Sequence, residues 1–483
     1  MRYTGALVLI AALFFGCLAS AEAATEVKMT GDARIHGNYW SKMQYTGWNY
    51  NGTTTADPMT IYERFRLRTD FIANEGLKFR LGIKISDVPW GAGTFTVDNP
   101  AVALMVYQAY LQFKFPNTDI EVTAGMQDVD LPLSADWLDA NPVLGGTRAA
   151  AAMVKIPVSE QFKIVGGFLR MVDSNKDFDP TTTQKADEFD GYLLTLPITL
   201  DGFKATPWGM LAVAGRDASY NKVWVGNGGY SNETLSTNLF SAGNLAPGAR
   251  TVNAQNLYYW LGSTFAVTAL DPFKFYADVI YGSGNDSDRK RNKRGGFFFD
   301  VAAEYTGFDM VTPQLSFWYS TGEDSSTTNG SERMPVVVNY WGPSNSFLFD
   351  GDQALNNGFM NVNSIGSWGF VAALDKISFV QDLTHRLTFS FARGTNSAAG
   401  LRKANTLLGV GNYVQIGRDL TDKEQVFAIG FDNKYNIYQN LAAIVETGWS
   451  HGDFQTSVWG HRLANATRSG DAYKVAFGLQ YKF

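Results

Sequence analysis

Charged side chains recur at every second position near the start of this chain. Lys28, Arg34, Arg64, Arg66, Arg68, Lys78, Arg80 and Lys84 all hold even positions of three alternating runs, with Asp32 and Asp70 among them. Successive even residues of an extended segment share a face, so these bases form one positive surface suited to attracting anions. A second group is acidic. Asp128, Asp130, Asp136 and Asp139 stand close together with no base between them. A third is the run Arg289, Lys290, Arg291, Lys293 and Arg294, whose chemistry fits phosphate groups. Catalytic chemistry finds little support. There are four histidines, His36, His385, His451 and His461. Asp453 and Ser457 lie near the last two, but no Gly-x-Ser-x-Gly elbow accompanies them. Asp286 and Asp288 look like half of an oxygen-ligand loop, yet no acid closes the expected spacing. No enzymatic activity, no metal and no cofactor is therefore expected, with calcium on that loop as the lesser alternative.

The elements that position these charges follow from composition and periodicity. The chain has 483 residues, 45% hydrophobic and 14% aromatic, with 48 Gly, one Cys and a formal charge of −6. So many aromatics and so small a charge exclude disorder, and one Cys excludes a disulfide scaffold. Past the N-terminus no apolar run is long enough for a membrane helix. Residues 1–23 have the layout of a signal peptide: Arg2, an apolar stretch over 7–15, and Ala21-Glu22-Ala23 as a cleavage site. Removal would take away Cys17 and leave 24–483. Lipidation at Cys17 is disfavoured, because Phe14-Phe15-Gly16 is a poor match to the usual Leu-led site.

Strict alternation marks strands rather than helices. Residues 27–40, 61–73, 77–85 and 472–483 each set an apolar face against a polar one. Further strands are expected near 102–115, 119–127, 147–158, 161–172, 187–197, 203–216, 255–269, 273–283, 297–307, 310–321, 365–380, 385–394, 425–435 and 440–451. The total is about eighteen, or sixteen if one pair is miscounted. Eight short connections alternate with nine long ones. That asymmetry predicts an all-β protein: a transmembrane antiparallel up-and-down β-barrel with two differently decorated rims. About eighteen strands enclose more space than side chains fill, so the interior must hold water or a plug. Arg64, Arg66 and Arg68 on one face cannot sit in a dry core, so the polar face is expected inward. Tyr39, Trp40, Tyr258, Tyr259, Trp260, Trp318, Tyr319 and Trp449 fall near strand ends, where membrane-interface girdles would use them.

Taken together, the leader, the alternation, the loop asymmetry and the terminal strand 472–483 make the chain resemble Gram-negative outer-membrane porins of the trimeric general diffusion type. In that family the C-terminal aromatic residue and the alternate apolar residues before it are read by the barrel-assembly machinery. Phe477, Leu479, Tyr481 and Phe483 stand at those positions here. The resemblance implies an outer-membrane location, short periplasmic turns, long extracellular loops and a homotrimer. General porins fold their third long loop into the channel, and here that loop is 128–146. Its four carboxylates would then face the bases of strands one to three. The run Arg289–Arg294, in an outward loop, would meet lipopolysaccharide phosphates. The implied function is a water-filled channel for passive diffusion of small hydrophilic solutes and ions, and nucleic acid is not an expected partner. Eight bases against two acids on the first three strands and four in the loop make weak anion preference or near neutrality the expectation. The alternative is a barrel used as an adhesin or surface anchor through its long loops near 217–254 and 322–364. An even strand count returns the chain to its starting rim. Protease added to intact cells should therefore cut only in the long loops. Cleavage confined to 74–76 or 159–160, mapped by mass spectrometry, would reverse the orientation.

Overall fold

The computed structural model describes residues 25–42, 45–46, 59–91, 95–97, 101–225, 233–249, 253–285, 289–343, 348–349, 355, 362–467 and 470–483. The expected signal peptide, with Cys17, and the Asp286 and Asp288 pair lie outside these residues.

The strands, in chain order, are β1 (Glu26–Ser41), β2 (Met59–Asn74), β3 (Leu77–Pro89), β4 (Met105–Lys114), β5 (Glu121–Val129), β6 (Thr147–Pro157), β7 (Lys163–Asp173), β8 (Glu188–Thr195), β9 (Ile198–Leu200), β10 (Phe203–Gly215), β11 (Gln255–Leu270), β12 (Phe273–Gly284), β13 (Arg294–Tyr305), β14 (Thr312–Ser320), β15 (Ser367–Val380), β16 (Leu383–Gly394), β17 (Gln425–Tyr438), β18 (Leu441–Asp453) and β19 (Asp471–Lys482). Each pairs antiparallel with its neighbours in a single sheet. β8 and β9 both pair with β10, so they are two parts of one stave. Pro197, which has no N–H to donate, stands at the break. The flanking ladder survives it, since Leu196 N–H donates to Pro207 O at 2.9 Å and Lys163 N–H to Pro197 O at 3.0 Å. The barrel therefore has eighteen staves, the number the alternation predicts.

Closure comes from β19 lying against β1, with Ala33 opposite Tyr481 and Tyr39 opposite Val475. Gly31 and Phe483 exchange two backbone hydrogen bonds, at 2.8 and 3.0 Å. Gly31 has to be glycine there, because a Cβ would lie 2.6 Å from the Phe483 ring. With no free edge, every strand finds its hydrogen-bond partners inside the protein, as a hydrocarbon environment requires. Val279, Leu315, Ile429, Phe477 and Leu479 point outward and stay 43–53% exposed. They form part of an apolar belt. No helix among the described residues is long and apolar enough to cross a membrane; the strands are the crossing elements.

The inner wall departs from the uniformly polar surface that alternation suggests. Along β10 to β14, inward positions hold Trp208, Met210, Tyr258, Trp260, Ile280, Phe298 and Trp318, all at 4% exposure or less. Trp40, Tyr258, Trp260 and Trp318, expected in the interface girdles, thus face the interior, whereas Tyr39 and Tyr259 do face outward at 39% and 37% exposure. The inner aromatics are covered by long loops folded into the barrel. Those loops contribute Leu138, Val143, Leu144, Leu235, Leu239, Met334, Val336, Val337, Trp341 and Phe349 to one apolar cluster. The loop after β10 carries two short helices, α1 (Leu235–Leu239) and α2 (Ala242–Leu245). The last two long loops carry α3 (Ala398–Leu408) and α4 (Thr456–Ala466), which share a second cluster around Tyr413, Ile416 and Trp459.

Trp318 shows how wall and loop are joined. Its ring meets Phe349 edge-on at 5.0 Å and Trp341 at 5.4 Å. Its Nε1–H donates to Ser367 Oγ at 3.1 Å. Trp318→Ala should destabilise the refolded protein in urea by about 3–5 kcal/mol. A cost below about 1 kcal/mol would show that the inner cluster is already hydrated and carries little of the stability.

Candidate permeation pathway

The structure gathers the even-position bases on the inner face of β1 to β3 and gives several of them carboxylate partners. Asp32 lies between Arg64 and Arg66, with oxygens 2.8 and 2.6 Å from their nitrogens. Asp70 holds Arg80 through two hydrogen bonds of 2.6 and 2.7 Å. Arg34 pairs with Asp87 at 2.7 Å. Arg34 is only 2% exposed and Arg64 15%, whereas Arg66 keeps 33%. Arg34 is therefore a buried anchor and not a water-facing pore residue. Parity in the sequence does not reveal the Asp87 pair. The β2–β3 register shifts between Glu63 and Phe65, opposite the end of β3. That bulge changes the phase of alternation and turns an odd-numbered acid toward even-numbered bases.

Lys28, Arg68 and Lys78 are left with water-accessible charges and no ion pair among the described residues. Lys84 sits with its ammonium 5.7 Å from the centre of the Tyr107 ring, and the Arg148 guanidinium lies 4.8 Å from the same ring. The accessible inner wall along β1 to β3 thus carries an excess of bases. The opposite arc, β10 to β14, is covered.

The segment after β5 does fold inward, although its acids are placed differently from the expectation. Asp128 belongs to β5 itself. It pairs with Arg148 at 2.7 Å and accepts a hydrogen bond from Gln108 Nε2 at 2.6 Å, so it meets the basic side. Asp136, in a 3₁₀ turn over Asp136–Leu138, is exposed and lies by Tyr276 on β12. The loop is fastened there. Ser134 donates from its backbone N–H to Asp278 at 3.2 Å and also from its hydroxyl. The Trp137 ring meets Tyr276 edge-on at 6.3 Å. Asp136 therefore faces away from strands one to three, Asp128 pairs with Arg148 of β6 rather than with a base of those strands, and Asp130 is held by the backbone N–H groups of Gly146 and Thr147.

A second inward loop, between β14 and β15, runs beside the first. Val337 and Val338 N–H both donate to Val143 O, at 2.8 and 3.1 Å, and Gly342 N–H donates to Leu138 O at 3.2 Å. Trp341 Nε1–H reaches Asp300 at 2.8 Å. Asp278 and Asp300 are direct register partners on β12 and β13, both buried. Each carboxylate thus holds one of the two loops. The sequence marks the 322–364 segment as a surface loop, but its described residues include Met334, Val336, Val337 and Leu348 at 3% exposure or less.

Arg294 corrects another expectation. It is 2% exposed and its guanidinium donates to the carbonyls of Thr237 at 2.7 Å, Phe240 at 3.0 Å and Arg333 at 3.2 Å. It clamps two inward loops and is withdrawn from any lipid phosphate. Arg289, Lys290 and Lys293 remain exposed, and Arg291 is half-buried. His451 shares a 2.9 Å hydrogen bond with Asp471, and His36 stacks on Tyr62 at 5.4 Å.

Charge also joins the loops to one another. Asp419 bonds Arg333 at 2.6 Å and Arg418 at 2.7 Å, and Arg418 lies 3.4 Å from Glu233. Burial alone would raise the Asp419 pKa, but Arg418 and Arg333 pull it down to about 2. Glu323, at the base of the β14–β15 loop, goes the other way. Burial pushes its carboxyl up to about 7, against a hydrogen bond from Ser331 and the attraction of Arg333.

These features define an eighteen-stave membrane-spanning barrel, narrowed by inward loops and charged on its open side. No protein-family model and no curated protein matches the chain. Solved structures do. OccK11 (OpdR) of Pseudomonas aeruginosa superposes with a TM-score of 0.51 at 10% identity, over 95% of this chain and 96% of that one. The outer membrane protein OprD from Pseudomonas aeruginosa gives 0.51 at 12% identity, over 96% of each chain. Pseudomonas aeruginosa OpdL gives 0.51 at 11%, over 95% and 99%. At such identities the likeness is one of fold.

Glu323 generates a pH prediction. Its carboxyl is raised in the fold from 4.5 to about 7, so folding favours the neutral form. That contribution is complete below the ordinary value and is lost as pH rises through the folded one. Amide protection of 321–333, measured by hydrogen exchange, should fall between about pH 5 and about pH 8. Glu323→Gln should flatten the dependence. An equal fall in that variant would assign it to another group.

Proposed function

We propose that this chain forms a water-filled channel in the bacterial outer membrane, through which small hydrophilic solutes and ions pass down their gradients. One observation carries the reading: the part of the inner wall left open by the loops is the charged part. A barrel serving only as an anchor has no use for a solvated row of bases inside it. No chemical step is involved. The loops narrow the path, and the bases set which charges dwell in it.

The selectivity proposed is weak anion preference or near neutrality. The overall charge of −6 is spread over loops far from the path. At physiological salt, screening acts over about 8 Å, so nearby wall charges dominate. Asp32, Asp70 and Asp87 offset much of the ladder, and Lys28, Arg68, Lys78 and Lys84 leave a positive remainder. Three further parts of the reading rest on the porin resemblance. The exposed aromatics Phe477, Tyr481 and Phe483 at the seam would be read by the barrel-assembly machinery. The exposed bases Arg289, Lys290 and Lys293 would touch lipopolysaccharide. The working unit would be a homotrimer.

Purified protein in planar bilayers should show stable conductance steps, with a reversal potential under a salt gradient that indicates slight anion preference at low salt. Replacing Arg64, Arg66 and Arg68 together by Gln removes three positive charges and frees Asp32, so the reversal potential should move toward cations. Absence of conductance would reject the channel, and an unmoved reversal potential would take the ladder out of the conducting path.

A further inference from the structure

The long loop between β7 and β8 carries an acidic group that the channel reading does not use. Asp177, Asp187 and Glu188 each present a carboxylate oxygen within 4.8 Å of the other two. Asp187 is fully buried, at 0% exposure. Its Oδ2 accepts the Lys176 N–H at 2.6 Å. Its Oδ1 is buried and has no hydrogen-bond partner in the chain. Glu188 Oε2 accepts the Asp187 N–H at 3.2 Å, which leaves its other oxygen available.

A buried carboxylate oxygen needs a hydrogen-bond donor, a base or a metal ion as partner. The neighbouring bases do not supply one. The Lys176 ammonium donates to the carbonyl of Asp217. Arg170 is held by Asp173 and Asp190, and Arg216 by Asp217. Lys185, exposed on the same loop, makes no ion pair among the described residues.

We infer that Asp177, Asp187 and Glu188 bind a calcium ion. Two oxygens held at ~2.4 Å by a common ion can be at most ~4.8 Å apart, and the oxygens of this group lie within that limit. Magnesium, at ~2.1 Å, would draw the oxygens within ~4.2 Å and demands a stricter octahedron. Calcium also accepts backbone carbonyls and water in a loose shell, which suits a site set in a loop. The ion would tie both ends of the loop together, where Ser174 N–H already donates to Asp187 O at 3.2 Å. Thr183 and Gln184 of the same loop line a cleft of about 830 Å³ with Arg216, Tyr220 and Arg289. Bound calcium would therefore order one wall of that cleft.

Calorimetric titration of the full chain, refolded in detergent and stripped with a chelator, tests this. Calcium chloride should bind once per chain, with a dissociation constant of ~1 mM or tighter, and magnesium chloride at least ~10-fold more weakly. Asp187→Asn and Asp177→Asn should each weaken calcium by at least ~10-fold, while Asp179→Asn, an exposed acid outside the group, should change nothing. Heat-modifiable mobility on gels reports folding. If Asp187→Asn does not fold, the exposed Asp177 position decides. A folded barrel that binds no calcium, an Asp177→Asn variant that binds it unchanged, or magnesium bound as tightly as calcium overturns the assignment.

Discussion

Every strand that crosses hydrocarbon must spend all its backbone hydrogen bonds within the protein, and that obligation organises this molecule. It forbids a free edge, so β19 must return to β1. The Gly31 and Phe483 exchange closes the last gap. Eighteen staves satisfy the backbone but leave an interior too wide for wall side chains to fill. The molecule fills one arc of it with its own loops. Trp260, Trp318 and Phe298 then gain the apolar partners that an open lumen would deny them. Closure thus creates the space, and the inward loops answer the apolar half of the wall. The open stretch along β1 to β3 keeps its charge.

Polar groups in the filled arc are matched in pairs. Asp278 takes Ser134 and Asp300 takes Trp341, one loop to each carboxylate. Arg294 is satisfied by backbone carbonyls rather than by an acid. Arg333, Asp419 and Arg418 link separate loops with opposed charges. The charged groups among these are buried, and each would be costly to leave single. They fix where the loops lie more narrowly than apolar contact could.

Strand positions and number were legible because a two-residue period is a local signal. The fold class, the short and long connections and the terminal seam all follow from it. Two things were hidden. Bulges reset the phase, so counting by parity misses Asp87 opposite Arg34. A strand that is apolar on both faces gives no hint of which face meets lipid. Trp260 and Trp318 therefore read as girdle residues when they line the interior. The inward folding of the 128–146 loop came from family resemblance, whereas its attachment to Asp278 depends on contacts 144 residues apart in the chain. Arg294 sits at the end of a basic run that looks like surface charge. Only the fold shows that its strand carries it inside.

The two sides of the open path differ in stiffness. On one side Arg66, Arg68 and Arg80 stand on a continuous hydrogen-bonded ladder of neighbouring strands. On the other, the boundary is loop backbone, joined to its neighbours by a small set of bonds such as those from Val337 and Val338 to Val143. Loops open locally at much lower free energy than barrel strands do. The bore is therefore bounded by one hard jaw and one soft jaw. Fluctuations in its width belong to the soft jaw, while the charges a solute meets stay fixed on the hard one.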